Sequence, residues 1–96
     1  MTYNLEFEEN ALREFKKLGS TIKEQFKKKL AAVLINPHIP ANKLGSMPGC
    51  YKIKLKSCGY RLVYKVIDRE VVVFVLAVGK RERSEVYKLA KSRSEN

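Results

Sequence analysis

Three lysines in the middle of the chain alternate with apolar residues at the period of a β-strand. Over 51–56, Lys52, Lys54 and Lys56 would lie on one face, while the tyrosine, isoleucine and leucine between them would be buried on the other. Arg61 follows shortly after this segment. A tight turn would bring its strand to about 5 Å from the lysine strand, so that Arg61 and Lys52 or Lys54 can bind one phosphate. These residue types indicate a site for a polyanion.

The lysine strand lies within a run of 43 residues, 25–67, that contains nine lysines and arginines but no aspartate or glutamate. Solvated surfaces ordinarily mix both signs of charge, so the missing acids favour an anion site over a solubilising face. The whole chain carries a formal charge of +10 from 20 basic and 10 acidic residues. Nucleic acid, an anionic membrane surface or an acidic protein would be attracted to it. We expect no membrane partner, because no stretch reaches the roughly 20 apolar residues that span a bilayer.

The two cysteines, Cys50 and Cys58, flank the lysine strand and would be separated by roughly 26 Å of extended chain. This separation is beyond disulfide reach, so we expect two free thiols and a reducing, cytoplasmic setting. These cysteines and the one histidine, His38, match no common zinc pattern, and we expect neither a metal nor another cofactor. His38 lies between two prolines, where an exposed loop side chain is the main interpretation and a catalytic role the minor one.

The elements that must position these residues are expected to form one domain over 1–96. A short amphipathic strand at 3–7 precedes two helices that form a hairpin. Gly19 is predicted to end the first helix in a left-handed conformation, and a capping box that begins at Thr21 is predicted to open the second. Prolines and glycines predict a connecting loop that extends to Gly49.

Three strands are predicted after the loop, at 51–56, 60–67 and 71–78. Short turns make them an antiparallel meander, and the third is continuously apolar, as expected of a central strand covered on both faces. Gly79 is predicted to end the sheet, and a last helix capped by Ser84 is expected to fray beyond Lys91. The predicted fold class is α+β, with the helical hairpin on one face of a single sheet and the other face open and basic.

Several segments resemble one known family: Leu18-Gly19-Ser20, Ala41-Asn42-Lys43-Leu44, Cys50-Tyr51-Lys52-Ile53-Lys54-Leu55, Gly59-Tyr60-Arg61-Leu62-Val63-Tyr64 and 78–87. In this order and spacing the chain resembles, almost end to end, the RelE toxins of bacterial type II toxin-antitoxin pairs. The resemblance implies the α+β fold of microbial ribonucleases. It also implies an endoribonuclease, an mRNA interferase that enters the vacant A site of the 70S ribosome, contacts 16S rRNA and cuts the mRNA there. A cognate RelB-like antitoxin would silence it.

The resemblance assigns the family's catalytic positions to five residues: Lys52, Lys54, Arg61, Arg81 and Tyr87. We expect further basic residues to contact RNA or the ribosome: Lys27, Lys28, Lys29, Lys43, Lys56, Lys80 and Arg83. One position departs from the family, since Gly45 stands where relatives have an arginine directly after the Lys-Leu of the loop. Lys43 can compensate for the missing contact.

Cutting RNA without a metal uses the 2′-hydroxyl as an internal nucleophile, so the site must remove that proton, stabilise the phosphorane and protonate the leaving 5′-oxygen. Without a catalytic histidine the proton acceptor is Lys52, Lys54 or Tyr87, and the sequence does not separate them. Arg61 and Arg81 are expected chiefly to clamp the phosphate and the transition state, because a guanidinium hardly ever gives up a proton. Whether Arg81 also acts as the acid stays open.

The rival interpretation is a toxin that binds without cutting, like the gyrase-directed ParE branch of the same superfamily. The full set of catalytic residue types favours the nuclease, because that branch does not keep it. Together with its antitoxin, the protein is also expected to repress its own operon, binding operator DNA only as that complex. The charge of +10 would attract an acidic antitoxin segment.

Overall fold

The protein is built around one four-stranded β-sheet with helices on both of its faces. The computed structural model describes residues 2–55, 59–80 and 85–94. In chain order the elements are β1 (Asn4–Phe7), α1 (Glu9–Lys16), α2 (Ser20–Ile35), a 3-10 turn (Pro40–Asn42), β2 (Cys50–Leu55), β3 (Tyr60–Ile67), a second 3-10 turn (Asp68–Glu70), β4 (Val72–Lys80) and α3 (Glu85–Ser94).

The strands lie in the order β1-β4-β3-β2. The last three strands form the predicted antiparallel meander, and β1 pairs in parallel with β4. This order makes β3 and β4 the inner strands, which explains why β4 is apolar along almost its whole length. The predicted α+β class, with a helical hairpin and a single sheet, is confirmed. No helix within the described ranges is long and apolar enough to cross a membrane.

One face of the sheet is covered by the hairpin of α1 and α2. Phe15 of α1 and Phe26 and Leu30 of α2 are buried against Leu62 and Tyr64 of β3 in the larger apolar core. Burial of side chains of this size contributes about 2 kcal/mol each, and this face holds the larger of the two cores. The hairpin therefore fixes the sheet on which the predicted site lies.

The other face carries α3, so the prediction that it would be open is wrong where that helix lies. The pairing of β3 with β4 skips Leu76, which forms a β-bulge. Because of this extra residue, Leu76 and Ala77 both join the second core, where Val86 and Ala90 of α3 pack against them. The sequence pattern does not show the bulge, so the covering of this face by α3 could not be read from periodicity.

Cys50 lies within the second core and is wholly buried. Its thiol is free, and burial raises its pKa, while the charge of Lys65 and a hydrogen bond with Ser94 act in the opposite direction. Cys58 lies outside the described residues, so the expectation of a second free thiol stays a prediction.

The ends of the helices differ from the predictions. Gly19 has φ −62° and caps the start of α2 without any side-chain hydrogen bond, so both the left-handed glycine and the capping box at Thr21 are wrong. Glu8 caps α1 instead, its carboxylate accepting a hydrogen bond from the Ala11 N–H at 2.9 Å. Helix α3 continues to Ser94 rather than fraying beyond Lys91. The proposed cap at Ser84 lies outside the described ranges.

A chain of hydrogen bonds joins four separate segments at the edge of the larger core. The Tyr3 hydroxyl donates to Asp68 at 2.6 Å, and Nε2 of His38 lies 2.8 Å from the same carboxylate oxygen. Nδ1 of His38 lies 3.1 Å from the hydroxyl of Tyr51, whose ring stacks on Tyr64. His38 is thus a structural residue that ties the connecting loop to the sheet, which its position between two prolines did not reveal.

We expect acid to weaken this network, because the hydrogen bonds from Tyr3 and His38 hold the pKa of Asp68 below its usual value. A carboxyl whose pKa is lowered by folding stabilises the protein above its unfolded pKa and loses that contribution as the pH falls through its folded value. Asp68→Asn should therefore lower Tm at pH 7, and the difference from the parent should shrink as the pH falls below about 4, the usual pKa of an unfolded aspartate.

Thermal unfolding followed by circular dichroism between pH 3 and pH 7 measures this difference. Glu70→Gln, on the same 3-10 turn but outside the network, is the matched control. A difference in Tm between Asp68→Asn and the parent that stays constant across this range contradicts the assignment.

Candidate functional site

The register of β2 and β3 places Lys54 directly opposite Arg61. Directly opposed residues of an antiparallel pair point to the same face, with their Cβ atoms about 5 Å apart. Lys52 is opposite Val63 and so lies on this face too, one pair further along the strands. The structure brings together three of the five predicted catalytic residues, on the face that α3 covers in part.

Arg61 is the one buried charged residue in the part of the chain that the structure describes, with 8% of its surface exposed. Its Nε is fully buried and has no hydrogen-bond partner among the residues that the structure describes. Among the described residues, no carboxylate lies within ion-pairing distance of its guanidinium. An unsatisfied buried donor costs about 1–3 kcal/mol, and more when the group is charged. A guanidinium in this setting favours an anion as its partner, and the described residues supply none.

The accessibility of the two lysines complements this arrangement. Lys54 is exposed and Lys52 is half-buried. Exposure to solvent thus increases from the buried guanidinium of Arg61, through Lys52, to the ammonium group of Lys54. We call the exposed end of the site, at Lys54, its rim. An anion that enters over Lys54 would meet a second, desolvated cation at Arg61, where electrostatic attraction is stronger than at the surface.

Gly79 lies opposite Arg61 on the other side of β3 and belongs to β4, so its predicted role of ending the sheet is wrong. A Cβ atom built on Gly79 would meet none of the described atoms within 4 Å. Three residues, Lys54, Arg61 and Gly79, therefore lie side by side on neighbouring strands. Beside Gly79 there is space for a ligand among the described atoms. Sequence reasoning missed this role, although a glycine inside an apolar strand signals close approach by another group.

Tyr87 lies in the first turn of α3. It is half-buried and packs against the second core, which places it on the same face of the sheet as Lys54 and Arg61. Arg81, the fifth predicted catalytic residue, lies outside the described residues. The same is true of Lys56 and Arg83, which were predicted to bind RNA.

The three lysines Lys27, Lys28 and Lys29 are exposed on α2, which packs on the opposite face of the sheet. The structure therefore does not place them in the same cluster as Arg61. Lys29 nevertheless lines a cavity of about 330 Å³ together with Lys54, between α2 and the edge strand β2. This cavity joins the basic helix to the rim of the site.

The remaining two predicted RNA-binding residues lie at the margins. Lys43 is exposed, and its backbone forms an isolated bridge with Tyr51 of β2, so it lies beside the edge strand. Lys80 pairs with Tyr60, and its ammonium lies 5.7 Å from the centre of that ring. Since Tyr60 packs against the larger core, Lys80 lies on the other side of the sheet from Arg61.

His38 does not join the site. Its hydrogen bonds to Tyr51 and Asp68 hold it at the larger core, on the side of β2 away from Lys52 and Lys54. The minor interpretation of a catalytic histidine therefore has no support in the geometry. The three groups predicted as candidates for the base all lie on the other face of the sheet from His38: Lys52, Lys54 and Tyr87.

Comparison with known proteins adds three findings. The family model described as the ParE toxin of the type II toxin-antitoxin system parDE matches residues 5–85. The mRNA interferase toxin RelE of Escherichia coli strain K12 is 67% identical over 93 residues, which are 97% of this chain and 98% of that protein. A putative RelE-like toxin protein of Escherichia coli is 54% identical over the same share of both chains.

Solved structures agree with these matches. A mutant of Escherichia coli toxin RelE in the free state superimposes with a TM-score of 0.91 at 64% identity, covering 97% of this chain and 98% of that one. The RelE chain of a complex with an antitoxin RelBc peptide gives a TM-score of 0.82 at 66% identity, covering 94% of this chain and 95% of that one.

The open space beside Gly79 predicts that a methyl group there obstructs the site without disturbing the fold. We expect Gly79→Ala to keep its Tm and to bind a 2′-O-methyl oligoribonucleotide about tenfold more weakly, as for an unrelieved steric contact. Fluorescence anisotropy at low salt measures the affinity. Gly19→Ala, which also meets open space but lies between α1 and α2, should bind as the parent does. Equal affinity of the two variants contradicts a ligand seated over Gly79.

Proposed function

The chain belongs to the RelE family of type II toxins, and we propose that it is an mRNA interferase that cuts mRNA held in the ribosomal A site. Identity of 67% over nearly the whole length favours this function over a ParE-type toxin that binds gyrase without cutting. The match to the ParE model reflects the superfamily that both branches share. The enzyme is accordingly an endoribonuclease that inhibits translation.

The observation that carries the mechanism is the buried, unpartnered Nε of Arg61 opposite Lys54. A phosphate of the RNA backbone offers the acceptors that this guanidinium lacks, and Lys54 would bind the same group from the rim. Cutting gathers additional negative charge on the phosphorane oxygens, so a cation fixed in advance stabilises the transition state more than the substrate. This is the role we assign to Arg61, with Arg81 as its expected companion.

The reaction we propose needs no group beyond the chain and the RNA. The 2′-oxygen attacks the neighbouring phosphorus as its proton passes to Lys52, Lys54 or Tyr87. The bond from phosphorus to the 5′-oxygen breaks, and that oxygen takes a proton from a protonated side chain of the site, for which Arg81 is one candidate. The products are a 2′,3′-cyclic phosphate on one fragment and a 5′-hydroxyl on the other. Tyr87, on the same face as Lys52 and Lys54, remains one of three candidates for the base.

None of these residues is as well suited to proton transfer near neutral pH as histidine. We propose that the ribosome compensates by holding the codon with its 2′-oxygen in line with the bond that breaks. Positioning of this kind can contribute roughly 7 kcal/mol or more to a reaction. The exposed lysines of α2 would attract 16S rRNA, which leaves the Arg61 face turned toward the mRNA.

An antitoxin of the RelB type is the partner that we propose for control of this activity. The Escherichia coli relative has been solved with RelB in an intact toxin-antitoxin complex. The high positive charge of the chain favours an acidic partner segment, and the toxin-antitoxin complex would repress its own operon at the operator DNA. The free toxin would act in the cytoplasm, on the ribosome.

The role of Arg61 predicts that its planar, bidentate fork cannot be replaced by a single ammonium group. Arg61→Lys should lower kcat for cleavage of ribosome-bound mRNA about 100-fold, as for the loss of one preorganised transition-state donor. Arg69→Lys makes the same chemical change at an exposed position of the second 3-10 turn and should leave kcat unchanged. Single-turnover cleavage assays measure both. Equal rates for the two variants contradict the clamp.

The contribution of the ribosome predicts a large difference between two forms of the same substrate. Naked mRNA should be cut far more slowly than mRNA in ribosome complexes with an empty A site, and the upstream fragment should end in a 2′,3′-cyclic phosphate. Primer extension locates the cut, and mass spectrometry identifies the end. Equal cutting of both substrates would refute the ribosomal contribution, and an upstream fragment that ends directly in a 3′-hydroxyl would refute attack by the 2′-oxygen.

A further inference from the structure

Arg93, in the last turn of α3, is held by a carboxylate from the far end of the chain. Its Nη1 and Nη2 donate to the two carboxylate oxygens of Glu14 at 3.0 and 2.9 Å. Nη1 also donates to the backbone carbonyl of Leu76 at 2.8 Å. The Arg93 side chain is only 12% exposed. A paired, bidentate guanidinium that is largely shielded from water is a strong and directional contact.

The same pair completes the hydrogen bonding of β4 beyond the end of β1. The last residue of β1, Phe7, pairs with Val75. Further along β4, the N–H of Val78 donates to Glu14 at 3.1 Å, and Arg93 binds the carbonyl of the bulge residue Leu76. Side chains from α1 and α3 thus bind backbone groups of β4 where β1 no longer reaches. The guanidinium fixes α3 to α1 and to the sheet together.

A second carboxylate strengthens this link. Oε1 of Glu8 lies 3.7 Å from Nε of Arg93, and the same oxygen caps the first turn of α1. Both carboxylates are largely buried, with Glu8 20% and Glu14 27% exposed. A shift of α3 would leave two acids partly buried without their cation, which disfavours any other position of the helix.

The other contacts of α3 are apolar and lie against the inner strands β3 and β4. The helix has ten residues, of which Val86 and Ala90 are buried, while Leu89 is 44% exposed. A helix of this length is marginal by itself in water, so its position depends on tertiary contacts. Tyr87 lies six residues before Arg93, about 9 Å along the helix axis. The orientation of the phenol therefore depends on where Arg93 is held.

We propose that Arg93 and Glu14 are positioning residues, which hold α3 so that the Tyr87 phenol meets the reacting phosphate. This proposal rests on the proposed function, in which Tyr87 belongs to the site. The residues offered for RNA and ribosome binding on α2 and β2 do not depend on α3. Loss of the Arg93 link should therefore lower kcat and leave KM nearly unchanged.

Cys50 provides a readout of this link that does not involve RNA. Its thiol is wholly buried in the second core beneath α3, next to Ser94. A thiol reagent reaches it only when the end of α3 moves away. In a Cys58→Ser background, the labelling rate of Cys50 reports the undocking of the helix.

The test compares Arg93→Met with Arg93→Lys and with Arg13→Met. Arg13→Met removes an arginine-glutamate pair of similar length, 3.1 Å, that is exposed on α1. For Arg93→Met we expect Cys50 to be labelled at least about tenfold faster and kcat to fall about 10- to 100-fold, as for a small displacement of a reacting group. Arg93→Lys, which keeps the charge, should recover part of both losses. Arg13→Met should match the parent.

A double-mutant cycle separates positioning from a general loss of stability. If Arg93 acts through Tyr87, then Arg93→Met in a Tyr87→Phe background should cause little further loss of kcat. Val33→Ala, in the larger core, serves as a destabilised control that leaves α3 untouched and should not speed the labelling of Cys50. A Cys50 labelling rate in Arg93→Met equal to that in Arg13→Met overturns the proposal, as does a full further loss of kcat in the Tyr87→Phe background.

A different result would refute the role of Tyr87 in the proposed function. If Tyr87→Phe alone cuts ribosome-bound mRNA at the parent rate, the role of Tyr87 is refuted and the catalytic effect assigned to Arg93 is refuted with it. The labelling of Cys50 still decides whether Arg93 docks the helix, because that measurement uses no RNA.

Discussion

The sheet has apolar residues on both of its faces, and these must be shielded from water: the hairpin of α1 and α2 packs on one face, and α3 covers part of the other. The hairpin of α1 and α2 buries the side of the sheet that carries Tyr64 and Leu62. On the other side, α3 reaches only the portion around the Leu76 bulge. Lys52, Lys54, Arg61 and Gly79 lie on the same face, beside the described residues of this second core. The site therefore borders a region that is shielded from water, and this position is what leaves Arg61 buried.

Much of this arrangement could be predicted because it depends on local rules. Short turns at both ends of β3 dictated an antiparallel meander, and a meander with alternating lysines placed Arg61 across from Lys54. The parts that could not be predicted depend on contacts between distant segments. Glu14 and Arg93 are 79 positions apart, and no periodicity connects them. The bulge at Leu76 changes which residues face α3. It could not be seen in the sequence, because the residues on both sides of it are also apolar.

A local sequence pattern also gave a wrong prediction where the same motif is compatible with two different structures. Gly19 is equally compatible with the end of α1 and with the start of α2, and the structure uses it for the start. His38 is the exposed loop residue that was expected, but its hydrogen bonds were not predicted because its partners, Tyr51 and Asp68, lie 13 and 30 positions away. The role of Gly19 is decided by a local hydrogen bond, from the Lys23 N–H to its carbonyl, and that of His38 by tertiary contacts. The chemistry of the site could be predicted from its residue types. The residues that hold the site in place could be identified only from the folded structure.

The parallel pairing of β1 with β4 has a consequence for the synthesis of the protein. Asn4 lies beside Val72, so the first strand has no partner in the sheet until the fourth has been made. Non-local pairings of this kind form late, because the intervening chain must first be brought together. Helix α3, which carries Tyr87, follows β4 in the chain. A chain that is still being made therefore cannot close its sheet before β4 has been synthesised, and it cannot bring Tyr87 to the cations of the sheet before α3 has followed.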